Sequence, residues 1–281
     1  MARFNLMHCL PDPRMHGLNG YREVIDTVAW GLRELGHEVG ITLNKAESSA
    51  TNIVFGAQVL PVDTLRALPK GSIVYNFEQM RGLTPAQMRP EVRFIAQHFG
   101  VWEYSRDQLP SWSSLGKFDA KAVPVGYAPI LQRIAAADRQ DIDVLLYGLS
   151  GKGRAEAFHR ISQAGLCTVF VSGLYGAARD ELIARSKIVL NVNLYERSKI
   201  FEIVRVSYLL ANRKAVVAVA DAQTAVEDDI RPGVRFTRPE KLPVSCLELV
   251  ADDGARRALE EAGFEAMSRR DIRTILAAAL G

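Results

Sequence analysis

The chain has 281 residues, 48% apolar and 24% charged, with a formal net charge of +3; this suits about two globular domains with sizeable cores and lacks the field of a dedicated nucleic-acid binder, leaving only a local basic groove open. Cys9, Cys167 and Cys246 are too few and too scattered for a disulfide framework or a zinc pattern, which fits a reducing cytoplasm. The apolar run before Pro11 is too short for a signal peptide and no run reaches the ~18 residues of a membrane span, so a cytoplasmic protein is expected, with peripheral attachment to a membrane left open.

Arg3 to Leu10 reads as a first strand, followed by Pro11-Asp12-Pro13 and the loop His16-Gly17-Leu18-Asn19-Gly20. Val24, Ile25, Val28, Ala29, Leu32 and Leu35 then recur with a 3.6-residue period, which predicts a helix over Tyr21 to Leu35 stopped by Gly36. With Glu38 to Leu43 as the next strand the order is Rossmann-like, although GxGxxG is absent. Gly17 and Gly20 either let an anionic ligand approach the helix amino terminus or only turn the chain. His16, in the same loop, is a candidate for proton transfer. Asn52 to Phe55 and Ser72 to Asn76 are short strands, and Glu78 stands just past the second, where a site draws its acid or base and where a solvated loop carboxylate is equally at home. Gly100 to Ser105 is a strand whose last residue is placed to cap a short helix. Val123-Pro124-Val125-Gly126-Tyr127 breaks at proline and glycine and marks the domain boundary.

The pattern then restarts. Ile142 to Tyr147 is a strand, Gly148 to Arg154 a loop of small residues with Lys152 and Arg154, and Ala155 to Ala164 a helix. Cations before a helix amino terminus make a diphosphate cradle, or a flexible solvated loop; the P-loop spacing is missing. Cys167 to Val171 is a strand, Gly173 to Gly176 a turn and Arg179 to Ser186 a helix. The stretch Lys187 to Asp221 holds the next unit: an apolar strand ending at Asn191, a loop with Asn193 and Glu196, a helix from Phe201 to Asn212 and a strand from Ala215 to Ala220. Glu202 and Arg205 are three apart on that helix, suited to a ribose diol and a phosphate respectively, or to a surface ion pair. A loop helix near Thr224 to Asp229, a proline-bounded segment from Pro232 to Pro243, a helix from Ser245 to Ala251 and an amphipathic region from Ala255 to Leu280, broken near Ser268, complete the chain. Arg269-Arg270 reads as a solvated face.

Two βα-repeating halves describe an α/β chain of two facing Rossmann-like domains with a cleft between them. Gly36-His37-Glu38-Val39, the Val123 to Tyr127 link, Tyr147-Gly148 with Arg154, Leu174-Tyr175-Gly176, Arg179-Asp180, Lys187 to Asn191 and Phe201 to Arg205 together resemble the GT-B glycosyltransferases, in particular the glycosyl transferases group 1 superfamily. The resemblance implies an acceptor-side domain over residues 1–128, a nucleotide-sugar donor domain over 129–265, and a carboxyl-terminal helix over 266–281 packing back on the first domain. It implies transfer of a hexosyl or related sugar from a nucleotide diphosphate donor to a hydroxyl acceptor, with neither bound metal nor cofactor. Gly17, Lys152, Arg154, Tyr175, Gly176, Asn191, Glu196 and Glu202 are the expected donor-binding residues, and His16, Glu78 and Arg205 the catalytic candidates. The superfamily's E-x7-E spacing is not kept: Glu196 and Glu202 are six apart, and Tyr208 stands at the second glutamate's place. The acceptor is a glycan, a small molecule or a DNA base; a non-catalytic nucleotide or sugar-binding module is the alternative from another class.

Overall fold

The computed structural model describes residues 1–135, 137–195 and 199–281. The chain divides into two compact units, Met1–Ala128 with Asp271–Gly281, and Pro129–Arg270.

In the first unit the strands β1 (Arg3–His8), β2 (Glu38–Leu43), β3 (Thr51–Phe55), β4 (Ile73–Asn76), β5 (Gly100–Glu103) and β6 (Lys121–Ala122) form one sheet in the order β2-β1-β3-β4-β5-β6. Every pair is parallel. Parallel neighbours need crossover connections, among them the helices α1 (Arg22–Glu34), α2 (Val62–Arg66), α3 (Pro90–His98) and α4 (Leu109–Ser113). The apolar period of α1 is the buried face: Ile25, Val28 and Leu32 have no exposed surface, and neither do Leu6, Ile53 and Val54 of the sheet. The strand order reverses between β1 and β3, the topological switch point of the unit.

In the second unit β7 (Ile142–Tyr147), β8 (Thr168–Val171), β9 (Ser186–Asn191), β10 (Ala215–Val219) and β11 (Arg235–Thr237) form an all-parallel sheet in the order β11-β10-β9-β7-β8. Its helices are α5 (Lys152–Gln163), α6 (Ala177–Ala184), α7 (Ile203–Ala211), α8 (Leu242–Ala251) and α9 (Asp253–Ser268). Val144, Leu146, Ile161, Ile188, Leu190, Val217, Cys246 and Leu249 form a core beneath α5 and α8. Here the order reverses between β7 and β9. The last helix, α10 (Ile272–Leu280), belongs to the first unit. It lies against α1 so closely that a Cβ on Gly31 would stand 2.8 Å from Leu276 Cδ1.

Several local expectations are corrected. Residues 224–229 form no helix: Ala225 makes an isolated parallel bridge to Ile200 and residues 228–229 a turn; and the proline-bounded segment contains β11, which its proline and charge content hid. Ser105 makes no side-chain cap; its N–H donates instead to the Glu103 carboxylate. Arg270 is buried rather than solvated, because Asp229 and Glu227 reach it from the turn region: Nε donates to Asp229 and Nη1 to Glu227, both at 2.7 Å. Among the described residues no helix is long and apolar enough to cross a membrane.

Candidate functional site

The switch point of the second sheet gathers charge. β7 ends at Tyr147, and Gly148 follows with φ +122°. A Cβ there would stand 2.9 Å from Arg154 Nη1 and 3.1 Å from Arg205 Nη2, so glycine supplies both the backbone angle and the room for two guanidiniums. Arg154, in the first turn of α5, is only 2% exposed. Its Nε donates to the Val192 carbonyl and its Nη1 to the Leu149 carbonyl, each at 2.8 Å. Arg205, in the first turn of α7, donates to the Tyr147 carbonyl at 3.2 Å and lies over the Tyr147 ring at 5.4 Å. Both guanidiniums face one carboxylate: Glu202 Oε2 is 3.5 Å from Arg154 Nη2 and 3.6 Å from Arg205 Nη2. These are ion pairs at long range rather than hydrogen bonds. Burial, and then the like charge of Arg205, pull the Arg154 pKa down to about 10, which leaves it charged at neutral pH.

A third guanidinium, Arg179, is differently placed. It is held by Asp180, whose other oxygen accepts from Tyr208 Oη at 2.8 Å, and it lies 4.8 Å from the Tyr208 ring centroid. Arg179 thus has a carboxylate of its own, whereas Arg154 and Arg205 share Glu202. Beside them Asn191 closes β9, 1% exposed, with neither Oδ1 nor Nδ2 hydrogen-bonded. An unpaired buried amide costs about 1–3 kcal/mol, so a native fold keeps one for a reason. The amino termini of α5 and α7 add their positive dipole ends. Two guanidiniums facing one carboxylate, two helix amino termini and an unused amide together concentrate positive charge and hydrogen-bonding capacity of the kind that suits a polyanion. Alongside, a cavity of about 360 Å³ is lined by Glu156 and Arg160 of α5, by Asn193, Tyr195, Lys199 and Asp221, and by a floor that includes Val192, Val219 and Leu242.

The first unit presents polar groups at the carboxyl ends of its strands. His8, the last residue of β1, is buried; its Nε2 meets the Leu18 carbonyl at 3.0 Å, within the six-residue 3-10 helix His16–Tyr21. Burial lowers the pKa of His8. Asn44, at φ +54°, pins the start of the same loop through two bonds to the Leu10 backbone. Glu78 is exposed, and its Oε1 accepts from Gln58 Nε2 at 2.9 Å and from Tyr21 Oη at 3.4 Å. Beneath it Glu103 is fully buried, which pushes its pKa up to about 7 against the pull of four hydrogen-bond donors.

Of the expected donor-binding residues the structure brings together Arg154, Asn191 and Glu202, with Arg205 from the catalytic set. Tyr175 lies within electrostatic reach of Arg154, and Gly176, at φ +65°, opens α6. Lys152 does not join them: it is exposed, 4.0 Å from Glu156 on its own helix. The reason is that α5 begins at Lys152, three residues earlier than expected, which turns Arg154 inward and Lys152 out. Glu196 lies outside the described residues. His16, Gly17 and Glu78 belong to the first unit, the first two in the loop after β1 and Glu78 after β4. Sequence reasoning missed Glu103, Gln58, Gln108 and the Asp180–Tyr208 pair. A carboxylate inside the apolar run Val101-Trp102-Glu103-Tyr104 was the available signal.

No family model and no curated protein sequence matches the chain. Among solved structures, Anabaena HepE in complex with UDP-glucose is similar with a TM-score of 0.62 at 13% identity, over 100% of this chain and 99% of that one. WaaG, a glycosyltransferase involved in lipopolysaccharide biosynthesis, gives 0.60 at 11%, over 99% and 98%. Sucrose-phosphate synthase from Thermosynechococcus elongatus gives 0.60 at 10%, over 100% and 98%. These likenesses run the length of the chain and match its pair of parallel sheets: the chain has the GT-B fold of two Rossmann-like domains.

Proposed function

We propose that the chain is a glycosyltransferase that takes a sugar from a nucleotide diphosphate donor held on the second unit and passes it to a hydroxyl acceptor served by the first. The observation that carries this reading is the pair of guanidiniums, Arg154 and Arg205, that both face the carboxylate of Glu202 beside the unpartnered Asn191 at the β7–β9 switch point. The likeness to HepE with UDP-glucose and to WaaG supports it.

The chemistry follows from charge. As the bond between the anomeric carbon and the diphosphate oxygen breaks, negative charge builds on the leaving group. Arg154 and Arg205, already fixed to backbone carbonyls, meet that charge without reorganising. Glu202 accepts from the ribose diol, and Asn191 supplies one donor and one acceptor to the nucleotide. Where configuration inverts, a base must take the acceptor proton, and His16 and Glu78 are the groups for it; where it is retained, none is needed. No bound metal or cofactor enters these steps.

The test is release of nucleoside diphosphate from a panel of UDP-, GDP-, ADP- and dTDP-sugars. Turnover is expected with one nucleotide class, and Arg205→Ala should lower kcat by about 10²- to 10³-fold, the loss typical of removing one such donor. Absence of turnover with every donor, while the nucleotide still binds, would leave a binding module in place of the enzyme.

A further inference from the structure

The amides of Asn76 and Gln108 occupy an unusual position between two carboxylate-bearing residues. Glu103 Oε2 accepts from Trp112 Nε1 at 2.7 Å and from Asn76 Nδ2 at 2.8 Å. Its Oε1 accepts from the Ser105 N–H at 3.1 Å and from Gln108 Nε2 at 2.9 Å. When ionised, the Glu103 carboxylate only accepts, so each amide then turns its nitrogen toward Glu103 and its oxygen away. The consequence appears one layer out. Asn76 Oδ1 accepts the Glu78 N–H at 3.2 Å, while Asn76 Nδ2 and Gln108 Nε2 also donate to the Glu78 carbonyl at 3.0 and 2.9 Å. Gln108 Oε1 accepts the Met80 N–H. The backbone of an exposed residue is thereby clamped on both sides by side chains whose orientation a buried carboxylate dictates.

We propose that Glu103 is a positioning residue: acting through Asn76 and Gln108, it fixes the loop 77–80 and so aims the Glu78 carboxylate on the acceptor side. The inference rests on the role given to Glu78 above. Such an arrangement has a cost that a purely structural core would avoid, since an apolar side chain at 103 would pack the strand without a buried charge. Glu103→Gln places an NH2 group among four donors, so at least one amide has to turn and the clamp on Glu78 is lost.

The experiment uses the full chain and three substitutions: Glu103→Gln, Gln108→Met, which removes one clamp while leaving Glu103 three donors, and Glu78→Gln. Amide hydrogen exchange should be at least tenfold faster over residues 77–80 in Glu103→Gln and Gln108→Met, with the strands of the second unit unchanged. With UDP-glucose as probe, UDP release should fall about tenfold in kcat in Glu103→Gln, at a KM within twofold of the parent. The double variant Glu103→Gln/Glu78→Gln should be no slower than Glu78→Gln alone, because one residue acts through the other. Unchanged loop exchange, or kcat losses that multiply in the double variant, would overturn the proposal. Should Glu103→Gln not fold, Gln108→Met carries both readouts. If the parent releases no UDP, the failure lies with the donor reading, and the exchange of residues 77–80 alone decides the positioning role.

Discussion

At the scale of single residues, buried polar groups separate the two units. In the first, Glu103 is buried and fully hydrogen-bonded, yet burial outweighs its donors and raises its pKa to about 7, above the usual carboxylate range. A carboxyl group that binds its proton more tightly when folded stabilises the fold at low pH, and that contribution is lost as pH rises through the folded value. Urea unfolding at pH 5 and pH 8 should therefore show the parent losing about 2 kcal/mol that Glu103→Gln does not lose; equal losses in both would show that Glu103 titrates as an ordinary glutamate. In the second unit Asn191 is buried with no hydrogen bond and has no such compensation within the described residues. The two amino acids were differently legible. Asn191 stands at the end of an apolar strand, where a ligand-binding residue is expected. Glu103 depends on partners from residue 76 to residue 112, and no local pattern connects them.

At the scale of elements, periodicity showed the long pieces and failed at their edges. The helix α1 and the strands β1, β3, β7, β9 and β10 lie where apolar spacing puts them, because each buries a full face. The starts of α5 and α7 were misjudged since Gly151 and Glu202 occupy their amino-terminal caps without a side-chain bond, so no Ser, Thr or Asp announced them. By contrast Asp252 and Asp271 cap α9 and α10 through their carboxylates, and the break near Ser268 was readable. Close approach is another property that spacing conceals. The single 3-10 turn Arg231–Gly233 meets α9 so closely that a Cβ on Gly233 would stand 2.5 Å from Gly263 Cα, which is backbone and cannot yield. Gly233→Ala should destabilise the second unit by about 1–3 kcal/mol, as overpacking does, measured by thermal or urea unfolding; a change below about 0.5 kcal/mol would mean the two segments separate at no cost.

At the scale of the whole molecule, the two βα-repeating halves followed from the repeated strand–helix order, and each folds into a parallel sheet whose strand order reverses once. The return of residues 271–281 to the first unit is a matter of topology, with Tyr127 accepting from the Ile272 N–H at 3.1 Å. Under the proposed function the second unit binds a nucleoside diphosphate through Arg154, Arg205 and Asn191. Calorimetric titration of UDP, GDP, ADP and dTDP, and of the matching monophosphates, into the parent chain and Asn191→Leu tests it most directly. One diphosphate is expected to bind, its monophosphate at least tenfold more weakly, and Asn191→Leu is expected to be about 1 kcal/mol more stable, having lost an unpaired amide, yet to bind at least tenfold less well. Failure of every diphosphate to bind, or equal affinity in the variant, would contradict it.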